Sequence, residues 1–176
     1  LSSPPRPFSR QQVNKIPRYI ERQKSSAVEI NMVFFSIALF IMNVALIAIS
    51  IMKILKYAEL QEDHLNPTDF AKSMNSMAKF ELMCQAAFSA AILVYFALDP
   101  ARGLYLKLIM IGVNAGYLFF LFARYSSKRY LVDPAKVWMQ SFKNEMQRTM
   151  MTSVALTVVS FLLCMFNLIR EVTTVG

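Results

Sequence analysis

The stretch MVFFSIALFIMNVALIAISIM, from Met32 to Met52, decides the fold class of this chain. It carries no charged side chain. At about 1.5 Å of rise per residue, a helix of this length crosses a hydrocarbon core of roughly 30 Å. The stretch therefore predicts a transmembrane helix, and the composition agrees, because 56% of the chain is hydrophobic and only four residues are glycine.

Three further apolar runs follow along the chain. Thr149 to Ile169 is uncharged and equally long, and Leu82 to Leu98 is uncharged but shorter. Leu104 to Ala123 contains only Lys107, near its start, where the long side chain is expected to reach the membrane interface. A tight hairpin at 99–103, with a proline and a glycine, separates the second run from the third. The sequence predicts an all-α polytopic membrane protein with four transmembrane helices.

The two longer connections carry similar helix-start signals. Asn66-Pro67 follows the first span and Asp133-Pro134 follows the third. Asn and Asp are good N-caps, and proline fits the first helical position because its missing N–H is not needed there. Apolar residues at helical spacing follow each signal, so we predict an amphipathic interfacial helix before the second span and another before the fourth.

Residues 1–31 form a basic extension rich in Ser, Pro and Arg, before a membrane domain at 32–170 and a short tail at 171–176. Its prolines preclude one continuous helix and predict a segment that is extended or disordered in isolation. An Arg-rich, acid-poor leader starting at Leu1 is typical of a trimmed organelle-import sequence, and a basic tail on a membrane surface explains it equally well. The net charge of +8 lies in this extension and at helix ends, which fits lipid headgroups and not nucleic acid.

The polar stretch YAELQEDHLNPTDF, 57–70, holds four carboxylates and the only histidine, His64. A metal site needs converging ligands, and these fall around a turn, so a solvated loop is the better interpretation. The two cysteines lack metal-ligand spacing and are read as buried small hydrophobes. No catalytic signature or cofactor motif stands out, and we predict neither enzyme nor cofactor.

Polar residues inside the spans are few, and ionisable ones are almost lacking. Because channels and transporters usually carry such residues along their pathway, the sequence disfavours both functions. We interpret Asn43, Gln85, Asn114 and Asn167 as interhelical hydrogen-bonding groups. Gly112 and Gly116 form a GxxxG spacing, which predicts a close helix–helix contact. The positive-inside rule leaves orientation open, since the side with the extension, the 99–103 hairpin and the C-terminus carries nine basic residues, with Lys107 counted there, and the side with the two long connections carries ten.

Two motifs resemble the cornichon family. The first runs from Ile54 to Asp69, and its matching residues are Glu59, Leu60, Asp63, Asn66, Pro67 and Asp69. The second is looser, with a Tyr- and basic-rich end to the third span, and its matching residues are Leu131, Asp133, Pro134, Val137 and Trp138. The resemblance covers the chain from about Asn31 to Ile169. It departs in the long N-terminal extension, in the missing basic residue after Trp138, and in the fourth span, which lacks a Tyr-rich run.

The resemblance implies a four-span membrane protein without enzymatic activity. Cornichons load membrane proteins into coat complex II vesicles at the endoplasmic reticulum, and some are auxiliary subunits of ion channels. It further implies that Val137, Trp138 and Phe142, before the fourth span, contact partners or the vesicle coat. We expect integral membrane proteins and lipids as partners, within a larger assembly in the endoplasmic reticulum or Golgi membrane. The alternative is a structural accessory subunit of an organellar membrane complex, for instance in the mitochondrial inner membrane.

Overall fold

A computed structural model describes residues 15–62, 64–98, 100 and 103–175, with side chains described for 30–62, 64–98, 100 and 103–174. Four long helices account for most of them: α1 (Lys15–Gln61), α2 (Pro67–Leu98), α3 (Leu104–Ser126) and α4 (Gln140–Val175). A single 3-10 turn, Pro134–Lys136, lies between α3 and α4. In the part of the chain that is described, no strand occurs.

The helices form an antiparallel bundle in which each one packs against its neighbours in sequence and α4 returns to α1. Partner residues run in opposite directions along each pair, as Asn43 meets Ser160 while Ser50 meets Thr157. We call the end of the bundle with the connections 62–66 and 127–139 the loop end, and the other end, with residues 99–103, the hairpin end.

The prediction of four membrane-spanning helices is confirmed in length and composition. The segments Ile30–Gln61, Pro67–Leu98, Leu104–Ser126 and Gln140–Thr174 are each long and apolar enough to cross a membrane. The spans predicted from uncharged runs were too short for the second and fourth helices, because both helices continue through charged residues toward the loop end.

The two separate interfacial helices are not confirmed. Pro67 begins a helix that continues without a break to Leu98, so the expected amphipathic segment is the first part of α2. Its apolar positions Phe70 and Met74 are buried inside the bundle. After Asp133 the chain makes only the 3-10 turn, and α4 begins later, at Gln140. The apolar face serves packing within the bundle, which is why no separate surface helix forms.

Both predicted helix caps are present. The Asn66 side-chain oxygen accepts from the Thr68 amide at 3.0 Å, and the Asp133 carboxylate accepts from the Ala135 amide at 3.0 Å. Each cap satisfies a donor that the first helical turn leaves without a backbone partner.

The expectation of an extended N-terminal segment is wrong for residues 15–31, whose backbone is the start of α1. Pro17 lies in the first turn of that helix, where a missing N–H breaks no internal hydrogen bond. The rest of the extension, residues 1–14, lies outside the described residues.

Apolar packing is divided between two clusters. One lies along the middle and hairpin end of the bundle and includes Leu39, Phe88 and Cys164. The other lies at the loop end and consists of Leu60, Phe70, Ala71, Met74, Val132, Val137, Met146 and Met150. Cys164 is buried as predicted, whereas Cys84 is only half-buried, and both are free thiols.

Candidate functional site

The interior of the bundle is unusually polar, and its polar residues lie at three levels along the axis. On α4 the buried residues recur at alternating spacings of four and three: Met146, Met150, Ser153, Thr157, Ser160, Cys164, Asn167 and Glu171. The buried residues of α1 from Met32 to Lys53 follow the same rule. This is the spacing of side chains that face the centre of a helical bundle. The polar residues therefore point at one another across the bundle.

The middle level joins all four helices by hydrogen bonds. Asn43 Nδ2 donates to Ser160 Oγ at 2.8 Å, and Ser160 Oγ donates to Asn114 Oδ1 at 3.0 Å. Gln85 Nε2 donates to the same Asn114 oxygen at 3.1 Å. The interhelical role predicted for Asn43, Gln85 and Asn114 is confirmed. Such bonds favour a single register of the helices, because a shifted helix would leave a polar group without a partner in an apolar medium.

The loop-end level is centred on the Glu81 carboxylate. The ammonium of Lys53 on α1 forms an ion pair with Glu81 on α2. Tyr117 of α3 and Ser153 of α4 each donate to Glu81 Oε1 at 2.8 Å. All four helices thus contribute to one buried charge cluster, whose carboxylate charge is balanced by a cation and by two hydroxyl donors.

The hairpin-end level is centred on Tyr95. Its hydroxyl donates to Glu171 Oε1 at 2.8 Å and accepts from Asn167 Nδ2 at 2.9 Å. Asn167 also donates to Ser36 Oγ at 3.1 Å, which confirms its predicted interhelical role. Arg170 donates to the Glu171 carboxylate at 2.5 Å.

The structure corrects the expectation that the spans contain almost no ionisable residues. Lys53, Glu81, Lys107 and Glu171 are all buried in the bundle. Lys107 does not extend outward to the interface, since its ammonium lies 4.5 Å from the centre of the Tyr95 ring. Lys53, Glu81 and Glu171 lie just outside the uncharged runs and are missed by a search for such runs, whereas Lys107 lies near the start of its run. The alternating spacing of four and three residues identifies such positions in the sequence. Lys53, for example, lies on the same face of α1 as Asn43 and Ser50.

A cavity of about 200 Å³ lies at the loop end between α2, α3 and α4. Its inner end is lined by the buried groups of Lys53, Glu81 and Ser153. Arg124, Arg129 and Glu145 line its outer part. The remaining lining residues are Thr149 and a set of apolar and aromatic residues, which are Met74, Ala78, Phe120, Leu121, Tyr125, Tyr130, Leu131, Val132, Phe142, Met146 and Met150. The cavity combines charged groups with apolar walls, as binding sites for amphipathic molecules do.

The first family motif serves the structure of the loop end. Leu60 is buried in the loop-end cluster, and Glu59 pairs with Lys56 at 2.7 Å. Asn66 caps α2 and Pro67 is its first residue, as described above. Asp69 lies exposed in the first turn of α2, where a negative charge is favourable. Asp63 lies outside the described residues.

The second motif is fixed to α2 by a residue between the motifs, Asn75. Its side chain accepts from the Val132 amide at 2.8 Å and donates to the Val132 carbonyl at 3.5 Å. Val132 is buried, whereas its neighbour Leu131 is half exposed and lines the cavity. Asp133 and Pro134 then form the capped 3-10 turn. Asn75 thereby fixes the position of the connection before α4.

The residues predicted to bind partners differ in accessibility. Val137 is buried in the loop-end cluster, and its contact with a partner stays a prediction. Trp138 is 50% exposed, and Phe142 is partly buried against the cluster. The Lys143 ammonium lies 5.2 Å from the centre of the Trp138 ring and limits its freedom.

Gly112 and Gly116 make no close contact with the described part of the chain. Both face outward on α3, and a Cβ added at either one meets no atom within 4 Å. The close helix–helix contact predicted from their spacing therefore stays a proposal, with a helix of another protein as the partner.

The acidic loop stretch brings no ligand set together. His64 is exposed, with Glu62 as its neighbour at 3.7 Å. Among the side chains that are described, no three His, Cys, Asp or Glu residues are grouped so that they could hold a metal ion.

The family described as "Cornichon protein" matches residues 32–166, most of the chain and all four helices. This chain belongs to the cornichon family. The resemblance found in the motifs is thereby confirmed, and a cornichon homolog 1 of Oryza sativa subsp. japonica is 28% identical over 131 residues, which cover 74% of this chain and 89% of the relative. No solved structure matches the chain.

Membership has general consequences for this cornichon. Cornichon proteins are membrane proteins of the secretory pathway, and they act as trafficking adaptors and cargo receptors rather than as enzymes. The binding of membrane cargo proteins in general follows from that role. The family match begins at residue 32, so the basic extension lies outside it.

Proposed function

We propose that this cornichon is a non-enzymatic adaptor that binds membrane proteins through its helices and links them to export vesicles at the endoplasmic reticulum. The observation that carries the proposal is the exposed tip of the connection before α4. Trp138 and Met139 are each about half exposed, 50% and 54%, while Val137 and Val132 on the same connection are buried.

This arrangement suits recognition by a protein outside the membrane. Asn75 and the buried valines fix the backbone, so binding orders few additional residues. An exposed tryptophan on a fixed backbone is the kind of residue that dominates protein–protein interfaces. Cargo selection is assigned to the outward apolar surfaces of the helices, on which Phe34, Met83 and Phe119 are strongly exposed.

The test is a vesicle-budding reaction with membranes that contain the full-length tagged chain. Trp138→Ala is expected to lower incorporation of the chain into coat complex II vesicles several-fold. Tyr105→Ala is the matched control, because Tyr105 is an exposed aromatic residue at the hairpin end, on the opposite side of the bundle. Equal incorporation of the Trp138 variant and the wild type would remove the coat-binding assignment.

A second candidate function is an accessory subunit of an organellar membrane complex. It is favoured by the basic extension outside the family match, part of which continues α1 from Lys15. Import of the full chain into isolated mitochondria, followed by protease protection, tests it. A chain that stays accessible to protease outside the mitochondria contradicts this candidate.

A further inference from the structure

We propose that the cavity at the loop end binds the headgroup of an anionic phospholipid, with the phosphate held by Arg124 and Arg129. This inference concerns a lipid site within the bundle and is independent of cargo and coat binding.

The inner end of the cavity is electrically balanced before any ligand enters. Glu81 is paired with Lys53 and accepts from Tyr117 and Ser153. Its carboxylate therefore adds little net charge to the cavity. The charge that a ligand meets is set by the outer residues Arg124, Arg129 and Glu145.

The outer residues favour a single negative charge. Two guanidinium groups against one carboxylate leave one positive charge, which a phosphodiester neutralises. Guanidinium groups bind phosphate oxygens through paired hydrogen bonds. A zwitterionic headgroup brings its own positive charge and leaves the cavity charge unbalanced, so the anionic class is preferred.

The two arginines are held next to each other by the local backbone. Lys128 adopts a left-handed conformation, φ 56°, and the Arg129 amide then donates to the Arg124 carbonyl at 3.0 Å. Arg124 Nη2 in turn donates to the Arg129 carbonyl at 3.2 Å, and its guanidinium lies 5.9 Å from the centre of the Phe120 ring. Arg124 is thus placed in advance, which lowers the entropic cost of binding.

Size and surroundings favour a lipid over a free phosphate ion. The volume of about 200 Å³ lies below the roughly 300 to 1,000 Å³ of pockets for drug-sized ligands, so it suits a headgroup and not a whole lipid. A groove on the outside of α4 shares Phe120, Glu145 and Thr149 with the cavity. Phe120 and Phe142 on the cavity walls offer apolar contact to the first part of an acyl chain, although the groove itself is lined mainly by polar and charged side chains.

The stacked rings of Tyr125 and Tyr130 indicate the depth of the cavity relative to the lipid headgroups. Their centres lie 4.7 Å apart, and both rings line the cavity. Tyrosine is enriched where a membrane protein meets the interface. The two rings therefore suit a cavity at the level of the lipid phosphates.

Native mass spectrometry of the full-length chain, titrated with phosphatidylglycerol or phosphatidylcholine, tests the proposal. We expect tighter binding of phosphatidylglycerol by the wild type. Replacing both arginines (Arg124→Gln and Arg129→Gln) is expected to weaken phosphatidylglycerol binding about tenfold or more. The matched control, Lys72→Gln with Lys136→Gln, removes the same charge from exposed residues at the same end and is expected to change binding less than about twofold.

A second variant keeps the test decisive if the arginine variant fails to fold. Ala78→Leu fills the cavity without changing its charge, and it is expected to lower phosphatidylglycerol binding while the thermal melting temperature is kept. Phosphatidylglycerol binding that is unchanged in Ala78→Leu overturns the proposal. Equal affinity for phosphatidylcholine also overturns it. Competition by inorganic phosphate at the same concentration as the lipid overturns it as well, because the cavity would then be a site for a soluble anion.

Discussion

The ammonium of Lys53 on α1 lies against the carboxylate of Glu81 on α2, inside a bundle whose other helices donate hydroxyl groups to the same carboxylate. A charge cluster of this kind requires the four helices to be present in one register. Along the bundle axis, the cluster lies between the cavity and the middle level of hydrogen bonds, which is formed by Asn43, Gln85, Asn114 and Ser160. It therefore connects the loop end to the polar interior.

Removing one member of this pair is predicted to be costly. Glu81→Ala leaves the Lys53 ammonium buried without its carboxylate, and we expect a loss of about 3 to 5 kcal/mol in stability. Replacing both residues by Met is expected to cost far less, since no charge is then left unpaired. Thermal unfolding in one detergent, followed by circular dichroism, gives the comparison. A double variant that is less stable than Glu81→Ala contradicts the assignment.

The middle level is predicted to behave as a coupled network. In a double-mutant cycle, Asn114→Leu and Ser160→Ala should couple by about 0.6 to 1.7 kcal/mol, because the two side chains share a hydrogen bond in an apolar medium. The control cycle combines Asn114→Leu with Ser36→Ala, which belongs to the hairpin-end level. Equal coupling in both cycles would argue against separate levels.

Asn75 is predicted to hold the connection before α4. Asn75→Ala removes both hydrogen bonds to Val132 and leaves that backbone without its partner, at an expected cost of about 1 to 3 kcal/mol. Hydrogen exchange of the segment 127–139 should become faster. Asn144→Ala, at an exposed position of α4, serves as the control. Unchanged exchange in the Asn75 variant would show that the connection is fixed by other groups.

Two glycines are predicted to respond in opposite directions to the same change. Gly103 has φ +65°, and an added Cβ would collide with the Arg170 guanidinium, so Gly103→Ala should destabilise the bundle. Gly116 lies in a helix with open space around it, so Gly116→Ala should stabilise by about 0.5 to 1 kcal/mol. Melting temperatures of the two variants in detergent provide the check. A loss of stability in Gly116→Ala would place another part of the chain against that face.

The sequence predicts the parts of this fold that depend on the membrane. Uncharged runs such as Met32 to Met52 identify spans because charges are costly in lipid, and Asn66 and Asp133 predict caps because their local chemistry is the same in any protein. The interhelical roles of Asn43, Gln85, Asn114 and Asn167 are also predictable from the sequence, since a side-chain amide inside a span needs a hydrogen-bond partner on another helix.

Other features depend on which side of a helix a residue faces and with whom it packs. Glu81 and Lys107 lie at the ends of apolar runs, where charge suggests the interface, yet both turn inward toward partners on other helices. Gly112 and Gly116 have the spacing of a packing motif but lie on the outer face. The cavity is lined by residues from all four helices and from the connection before α4, and no local sequence pattern predicts such an assembly.

The central claim is that this cornichon works as an adaptor in the early secretory pathway, and fluorescence microscopy of the full-length tagged chain tests it most directly. The account predicts overlap with markers of the endoplasmic reticulum and Golgi, with the Trp138→Ala variant shifted toward the endoplasmic reticulum. A wild-type signal confined to mitochondria would contradict the account and favour the organellar accessory subunit.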